Sequence, residues 1–116
     1  MLIFKIVTDA QWREAEATGE FKGAPIDLQD GYLHFSTGPQ CRETAALYFA
    51  DQSDLLLVAV EADGLGEALR WEASRGGALF PHLFRTLQLS EVAWVAPLPL
   101  GADGAHQFPD RFLQSE

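Results

Sequence analysis

The sequence predicts one α+β domain that spans residues 1–116. The run from Leu55 to Val60 is apolar at all six positions, which is typical of a central strand covered on both faces. Shorter extended segments alternate with two segments of helical periodicity, and no linker, repeat or low-complexity block divides the chain. A chain of this length buries about two-thirds of its unfolded surface, so one hydrophobic core is enough to stabilise it.

The first predicted unit is a strand followed by a helix. Residues 2–7 are β-prone, and the next segment, Thr8-Asp-Ala-Gln11, has the spacing of a capping box, in which Gln11 reaches back to the Thr8 backbone. Trp12 follows at helical spacing, and Gly19 is the residue type that ends a helix in a left-handed conformation. Residues 20–30 lack periodicity and are predicted to form a loop.

The next segment places polar side chains together. Gly31 to Ser36 is predicted to be extended, so Tyr32, His34 and Ser36 share one face of the strand. A second helix is predicted to begin at Thr37-Gly-Pro39, because proline is tolerated in a first turn, and to end near residue 50.

Three shorter segments complete the prediction. Residues 68–72 form a strand in which Arg70 and Glu72 point to one side, residues 79–82 form a constrained turn, and residues 92–96 form the last strand. The tail after residue 100 carries weak signals.

The charge balance limits the partners. Eight Lys and Arg against 17 Asp and Glu give a formal charge of −9, which repels nucleic acids and anionic membranes from most of the surface. A pocket can still use Arg70, Arg75 or Arg85 to hold one small phosphorylated molecule. No run of about 20 apolar residues and no signal peptide is present, so we expect a cytoplasmic protein without a membrane partner. The single Cys41 is predicted to be a packed thiol.

Two groups of residues could carry chemistry at strand ends. The imidazole of His34 and the hydroxyls of Ser36 and Thr37 could bind a ribose, an amide or a carbonyl. Equally, a backbone carbonyl could satisfy His34 while the two hydroxyls cap the next helix. In the second group, Arg70 could hold a phosphate and Glu72 a ribose hydroxyl or a developing positive charge, or the two could form a surface ion pair.

His82 is the remaining candidate, presented by the segment Phe80-Pro-His. The proline fixes its direction, although a rigid packing turn with a histidine facing solvent would give the same pattern. The sequence has no H-E-x-x-H helix and no close histidine pair, so no metal is expected. It also lacks the G-x-S-x-G, Walker and G-x-G-x-x-G motifs of common hydrolases and nucleotide-binding folds.

Four motifs, taken in order, resemble a bacterial family known as domain of unknown function 952. They are Gly31-Tyr-Leu-His-Phe-Ser-Thr37, Leu55 to Glu61, Arg70-Trp-Glu72 and Leu79-Phe-Pro-His82. The resemblance implies an ADP-ribosyltransferase-like fold, in which a split, mostly antiparallel sheet is flanked by two main helices and binds NAD in a cleft.

The resemblance also implies roles for the candidate residues. His34, Ser36 and Thr37 would bind NAD as a substrate and Arg70 its phosphate, while Glu72 and His82 would act on the ribose. Glu91 is the other candidate for the late glutamate of such enzymes. The expected function is that of a transferase or glycohydrolase that uses NAD or ADP-ribose and acts on a small molecule or a protein side chain.

The sequence is compatible with two other functions. The chain could be a non-catalytic module that binds a small ligand or a protein, or the motifs could serve only the fold. The sequence does not indicate an oligomeric state.

Overall fold

The computed structural model of the protein describes residues 1–115, in which eight strands and four α-helices form an α+β architecture. The strands are β1 (Leu2–Thr8), β2 (Glu20–Phe21), β3 (Leu33–His34), β4 (Leu55–Glu61), β5 (Leu69–Ala73), β6 (Leu79–Leu83), β7 (Leu87–Gln88) and β8 (Val92–Pro97). The helices are α1 (Asp9–Thr18), α2 (Pro25–Asp30), α3 (Gly38–Tyr48) and α4 (Asp110–Ser115). None of these helices is both long enough and apolar enough to cross a bilayer.

The strands form antiparallel sheets that meet at one point. The first sheet has the order β1-β4-β8, the second has the order β3-β6-β5, and β2 pairs with β7. Just after β3, Ser36 pairs with Phe4 of β1 through two backbone hydrogen bonds of 2.8 Å. The two larger sheets therefore adjoin at Ser36 and separate on either side of it.

The first sheet is buried on both faces, as the apolar run of β4 predicts. Helix α1 packs on one face through Trp12 and Ala15, and helix α3 packs on the other through Cys41 and Ala45. Cys41 is a buried free thiol, as expected. The tail, which carried weak signals, ends in α4, whose Phe112 is fully buried against the same face as α3.

The predicted start and end of α1 are confirmed. Thr8 and Gln11 form the capping box, and Gly19 ends the helix with φ of 86°. Helix α3 is capped in the same way by Thr37 and Gln40, and it ends at residue 48, close to the expected residue 50.

The loop predicted for residues 20–30 is wrong. This segment contains the two residues of β2 and the helix α2, in which Pro25 occupies the first turn and Gly31 ends the helix with φ of 85°. Proline at the start and glycine after the end are ordinary helix boundaries. The helix has only six residues, too few for its periodicity to be visible in the sequence.

The turn predicted for residues 79–82 is also wrong, because these residues belong to β6, the central strand of the second sheet. A proline inside a central strand is unusual because it removes a ladder hydrogen bond. Here the carbonyl of Pro81 accepts a hydrogen bond from the Phe35 amide, directly after β3 ends at His34. Pro81 has no N–H to donate toward β3, but β3 has already ended at this position, so no strand hydrogen bond is lost. On the other side, β5 remains paired with β6 past Pro81.

Candidate functional site

The second sheet brings the predicted histidines together. His34 of β3 lies directly opposite His82 of β6, and Arg70 of β5 lies opposite His82 on the other side. Residues opposite each other in an antiparallel pair point to the same face. The ring centroids of the two histidines are 5.5 Å apart, so two residues separated by 48 positions form one cluster.

Both ring nitrogens of His34 contact carboxylates from helix α2. Nδ1 lies 2.6 Å from Asp27 Oδ1, and Nε2 lies 2.9 Å from Asp30 Oδ2. An ionised carboxylate only accepts hydrogen bonds, so both contacts are satisfied together only when each nitrogen carries a hydrogen. The two carboxylates therefore fix the direction of the His34 ring from both of its nitrogens.

Asp27 is the buried anchor of this arrangement. Its side chain is fully buried, and it accepts hydrogen bonds from the backbone amides of Ala24 and His34 at 2.8 and 3.0 Å. Lys5 of β1 lies 2.9 Å away and also donates to the His34 carbonyl. Burial alone would raise the pKa of Asp27, but the hydrogen bond from His34 and the charge of Lys5 outweigh it and lower the pKa to about 2.

The pKa of Lys5 is set by the same two effects, burial and the charge of its partner. Its side chain is almost fully buried in the core, and this burial lowers its pKa, while the Asp27 charge acts to raise it. The ion pair is therefore a buried structural support under His34.

His82 is held differently. Its Nδ1 lies 2.8 Å from Glu72 Oε1, and the side chain is only 4% exposed. Among residues 1–115 the Nε2 atom has no hydrogen-bond partner. If Glu72 accepts the hydrogen on Nδ1, Nε2 carries a lone pair that can accept a proton or a hydrogen bond.

Tyr32 covers both histidines. Its ring centroid lies 4.6 Å from that of His34, 4.2 Å from that of His82 and 5.0 Å from that of Phe84. Burial raises the pKa of the Tyr32 phenol, and the carboxylates of Asp30 and Glu72 raise it further. The phenol therefore stays protonated at neutral pH and can donate a hydrogen bond.

Tyr32, His34, His82 and Asp30 border a cleft of about 560 Å³ between the second sheet, β1 and helix α3, whereas Asp27 and Glu72 support the histidines from outside its lining. This volume lies within the usual range for small-ligand sites. One end, which we call the histidine end, consists of Tyr32, His34 and His82. The other, the arginine end, consists of Ser36, Thr44 and Arg75.

Not every predicted site residue lies in the cleft. Ser36 lines it, with its hydroxyl 3.0 Å from that of Thr44, but Thr37 serves as the cap of α3 and Arg70 is exposed, with its guanidinium 4.7 Å from the centroid of Phe84. Glu91 forms an ion pair with Arg85 through both carboxylate oxygens, at 2.8 and 2.7 Å.

Sequence reasoning did not identify Asp27, Asp30 or Tyr32 as site residues. Tyr32 was visible as the third member of a polar strand face, but aromatic residues on such a face are usually core. The two aspartates lie three apart in the segment predicted to be a loop, and only the recognition of α2 would have placed both next to His34. No group of three or more metal-binding side chains occurs within the described residues.

The paired strands and the lined cleft define the class of this molecule as an α+β protein with a histidine and carboxylate site between two antiparallel sheets. The chain belongs to the family described as "Protein of unknown function (DUF952)", whose model matches residues 6–95. The resemblance noted in the sequence to this family is thereby confirmed. No match is found among curated proteins.

Solved structures of one relative match almost the whole chain. The crystal structure of protein CC0527 from Caulobacter crescentus is 53% identical, with a TM-score of 0.92, and the match covers 97% of this chain and 99% of that one. The solution NMR structure of CC0527 is 55% identical, with a TM-score of 0.85 and 95% of each chain covered. These similarities establish a shared fold.

Proposed function

We propose that the cleft binds NAD or ADP-ribose and that the protein is a transferase or glycohydrolase acting on the ribose of that ligand. The observation that carries this proposal is the Glu72–His82 pair, whose Nε2 atom is unpartnered within residues 1–115 on the wall of the cleft. A split antiparallel sheet with a cleft at the split also supports the assignment to an ADP-ribosyltransferase-like fold.

The proposed reaction uses the unpartnered ring nitrogen of His82. In such a reaction the bond between ribose and nicotinamide breaks, and nicotinamide leaves with the bonding electrons. Water or an acceptor side chain then bonds to the ribose carbon and loses a proton. We assign the acceptance of that proton to Nε2 of His82 and the stabilisation of the resulting cation to Glu72.

The remaining candidate residues would bind and orient the ligand. His34 presents its ring beside that of Tyr32, and a ligand carbonyl could reach its Nε2 by displacing the partly exposed Asp30. Ser36 offers a hydroxyl inside the cleft, and Thr37 acts indirectly by fixing the start of α3. Arg70 would contact a phosphate only if it moved away from Phe84.

A titration with NAD followed by a release assay tests the proposal. We expect saturable NMR shifts at Tyr32, His34 and His82, and nicotinamide release that falls about 100-fold or more in His82→Asn and Glu72→Gln. Glu91→Gln is the control, since that carboxylate is engaged with Arg85. An unchanged spectrum with millimolar NAD and ADP-ribose would reject this function.

The second candidate is a non-catalytic module that binds a small ligand. The observation in its favour is that the carboxylates of the site already have partners: Asp27 and Asp30 contact His34, and Glu72 contacts His82. Among the described residues, Asp30 is the one acidic side chain that lines the cleft. This alternative predicts saturable binding of ADP-ribose and no nicotinamide release from NAD over several hours.

A further inference from the structure

The arginine end has the chemistry of an anion site. Nη2 of Arg75 lies 3.4 Å from Thr44 Oγ1, which lies 3.0 Å from Ser36 Oγ. Thr44 also donates to the carbonyl of Gln40 at 3.1 Å. Ser36 is buried, and the three side chains converge from three different elements: the segment after β3, the helix α3 and the loop between β5 and β6.

The guanidinium of Arg75 is held in place but keeps donors for a ligand. Its Cζ atom lies 4.9 Å from the ring centroid of Phe80 and 5.6 Å from that of Tyr48, and the side chain is 23% exposed. Nε faces Glu43 at 3.5 Å, an exposed contact of the kind that contributes little in water. The Nη1 group has no acceptor within residues 1–115.

Arg75 carries a positive charge into the cleft of a strongly acidic protein. Two Lys or Arg side chains in the described part of the chain line the cleft, Lys5 and Arg75. The charge of Lys5 is neutralised by buried Asp27 at 2.9 Å. In a chain with a formal charge of −9, Arg75 is thus the cation that an anionic group in the cleft would meet.

The spacing between the two ends fits a ligand that has both a ring and an anionic group. Ser36 follows His34 by two residues, which separates them by about 7 Å along the extended chain. Phe80 and His82 are separated in the same way on β6. A ring or ribose at the histidine end would therefore leave its phosphate near the arginine end.

We propose that Ser36, Thr44 and Arg75 form a phosphate subsite, so that the ligand of the cleft is a phosphate or diphosphate ester. The inference rests on the proposed function for the ring-binding end, but it assigns the phosphate to Arg75 and not to Arg70. Arg75 binds the oxygens through Nη groups, and the hydroxyls of Ser36 and Thr44 reorient to donate to them.

Inorganic pyrophosphate is the probe for this subsite. We expect pyrophosphate to shift the amide signals of Ser36 and Thr44 and the Nε signal of Arg75, and Arg75→Gln to weaken this binding about tenfold or more. Arg70→Gln tests the rival phosphate contact and should change the affinity less than about twofold, and Arg13→Gln, an exposed arginine of α1 outside the cleft, is the matched control. Thr44→Val, which preserves the side-chain shape, is the second variant and should weaken binding without affecting α3.

ADP-ribose and adenosine separate this inference from the proposed function. Pyrophosphate binding that needs Arg75, with no binding of ADP-ribose, would support the subsite and reject the proposed ligand. ADP-ribose binding that is tighter than adenosine binding and falls with Arg75→Gln supports both. The proposed subsite is wrong if Arg75→Gln and Thr44→Val bind pyrophosphate and ADP-ribose as tightly as the unmodified protein does. It is also wrong if Arg70→Gln is the variant that loses pyrophosphate binding.

Discussion

The histidine end and the arginine end line the same cleft, but they carry charge differently: carboxylates surround the first, and an arginine cation lies at the second. At the histidine end three carboxylates hold two imidazoles, and the buried pair of Asp27 and Lys5 lies beneath them. At the arginine end one cation is held by aromatic rings and an exposed glutamate. The first end is fixed before a ligand arrives, whereas the second keeps donors that a ligand can use.

The largest expected effect is the loss of stability when the buried Asp27–Lys5 pair beneath the histidine end is broken. Asp27→Asn leaves the Lys5 ammonium buried without its charge partner, and we expect the free energy of unfolding to fall by about 3 kcal/mol or more. Urea unfolding at neutral pH measures this loss. Asp30→Asn, which changes a partly exposed contact of the same histidine, should cost under about 1 kcal/mol. Equal losses in the two variants would contradict the comparison.

The free energy of unfolding should also depend on pH through the Asp27 carboxylate. The pKa of Asp27 is about 2 in the folded protein, against an ordinary value of 3.8, so its contribution is present above about pH 4 and is lost as the pH falls toward 2. A difference of this size corresponds to a contribution on the order of 2 kcal/mol. Urea unfolding between pH 6 and pH 2 should show this decrease in the unmodified protein, and Asp27→Asn should lack it.

The smallest expected effect concerns the ring that covers the histidines. Tyr32→Leu removes the aromatic face, and we expect the affinity for ADP-ribose to fall about fivefold. Tyr32→Phe keeps the ring and should retain most of that affinity, while binding of pyrophosphate should change in neither variant. Calorimetric titration of each variant with ADP-ribose and with pyrophosphate measures these affinities. A matching loss of pyrophosphate binding would show that the two ends are not separate.

The parts of the fold that were predicted correctly carry their signals locally. The capping box of Thr8 and Gln11 and the left-handed Gly19 mark α1 without reference to any other segment. The six apolar residues of β4 indicate a strand buried on both faces for the same reason. The alternation around His34 also predicts which side chains share a face, because that depends only on the extended backbone.

What the sequence could not show depends on contacts between distant segments. Pro81 indicates a turn when only its neighbours are considered, and it becomes acceptable in β6 only because β3 ends opposite it. The partners of His34 come from a six-residue helix that is defined by its ends and by packing. Arg75 was one of three arginines considered for a phosphate, and only the fold places it at the cleft while Arg70 lies over Phe84.

The pairing of Ser36 with Phe4 has a consequence for selectivity. Ser36 belongs to the arginine end and follows His34 by two residues. Its backbone is bound to β1, whose Phe4 is almost completely buried and packs against Phe112 and Trp94. The distance between His34 and Ser36, which we propose contact the ring and the phosphate of a ligand, is thus set by a backbone that is bound to the hydrophobic core. A substitution at Phe4 should therefore alter which ligand lengths the cleft accepts.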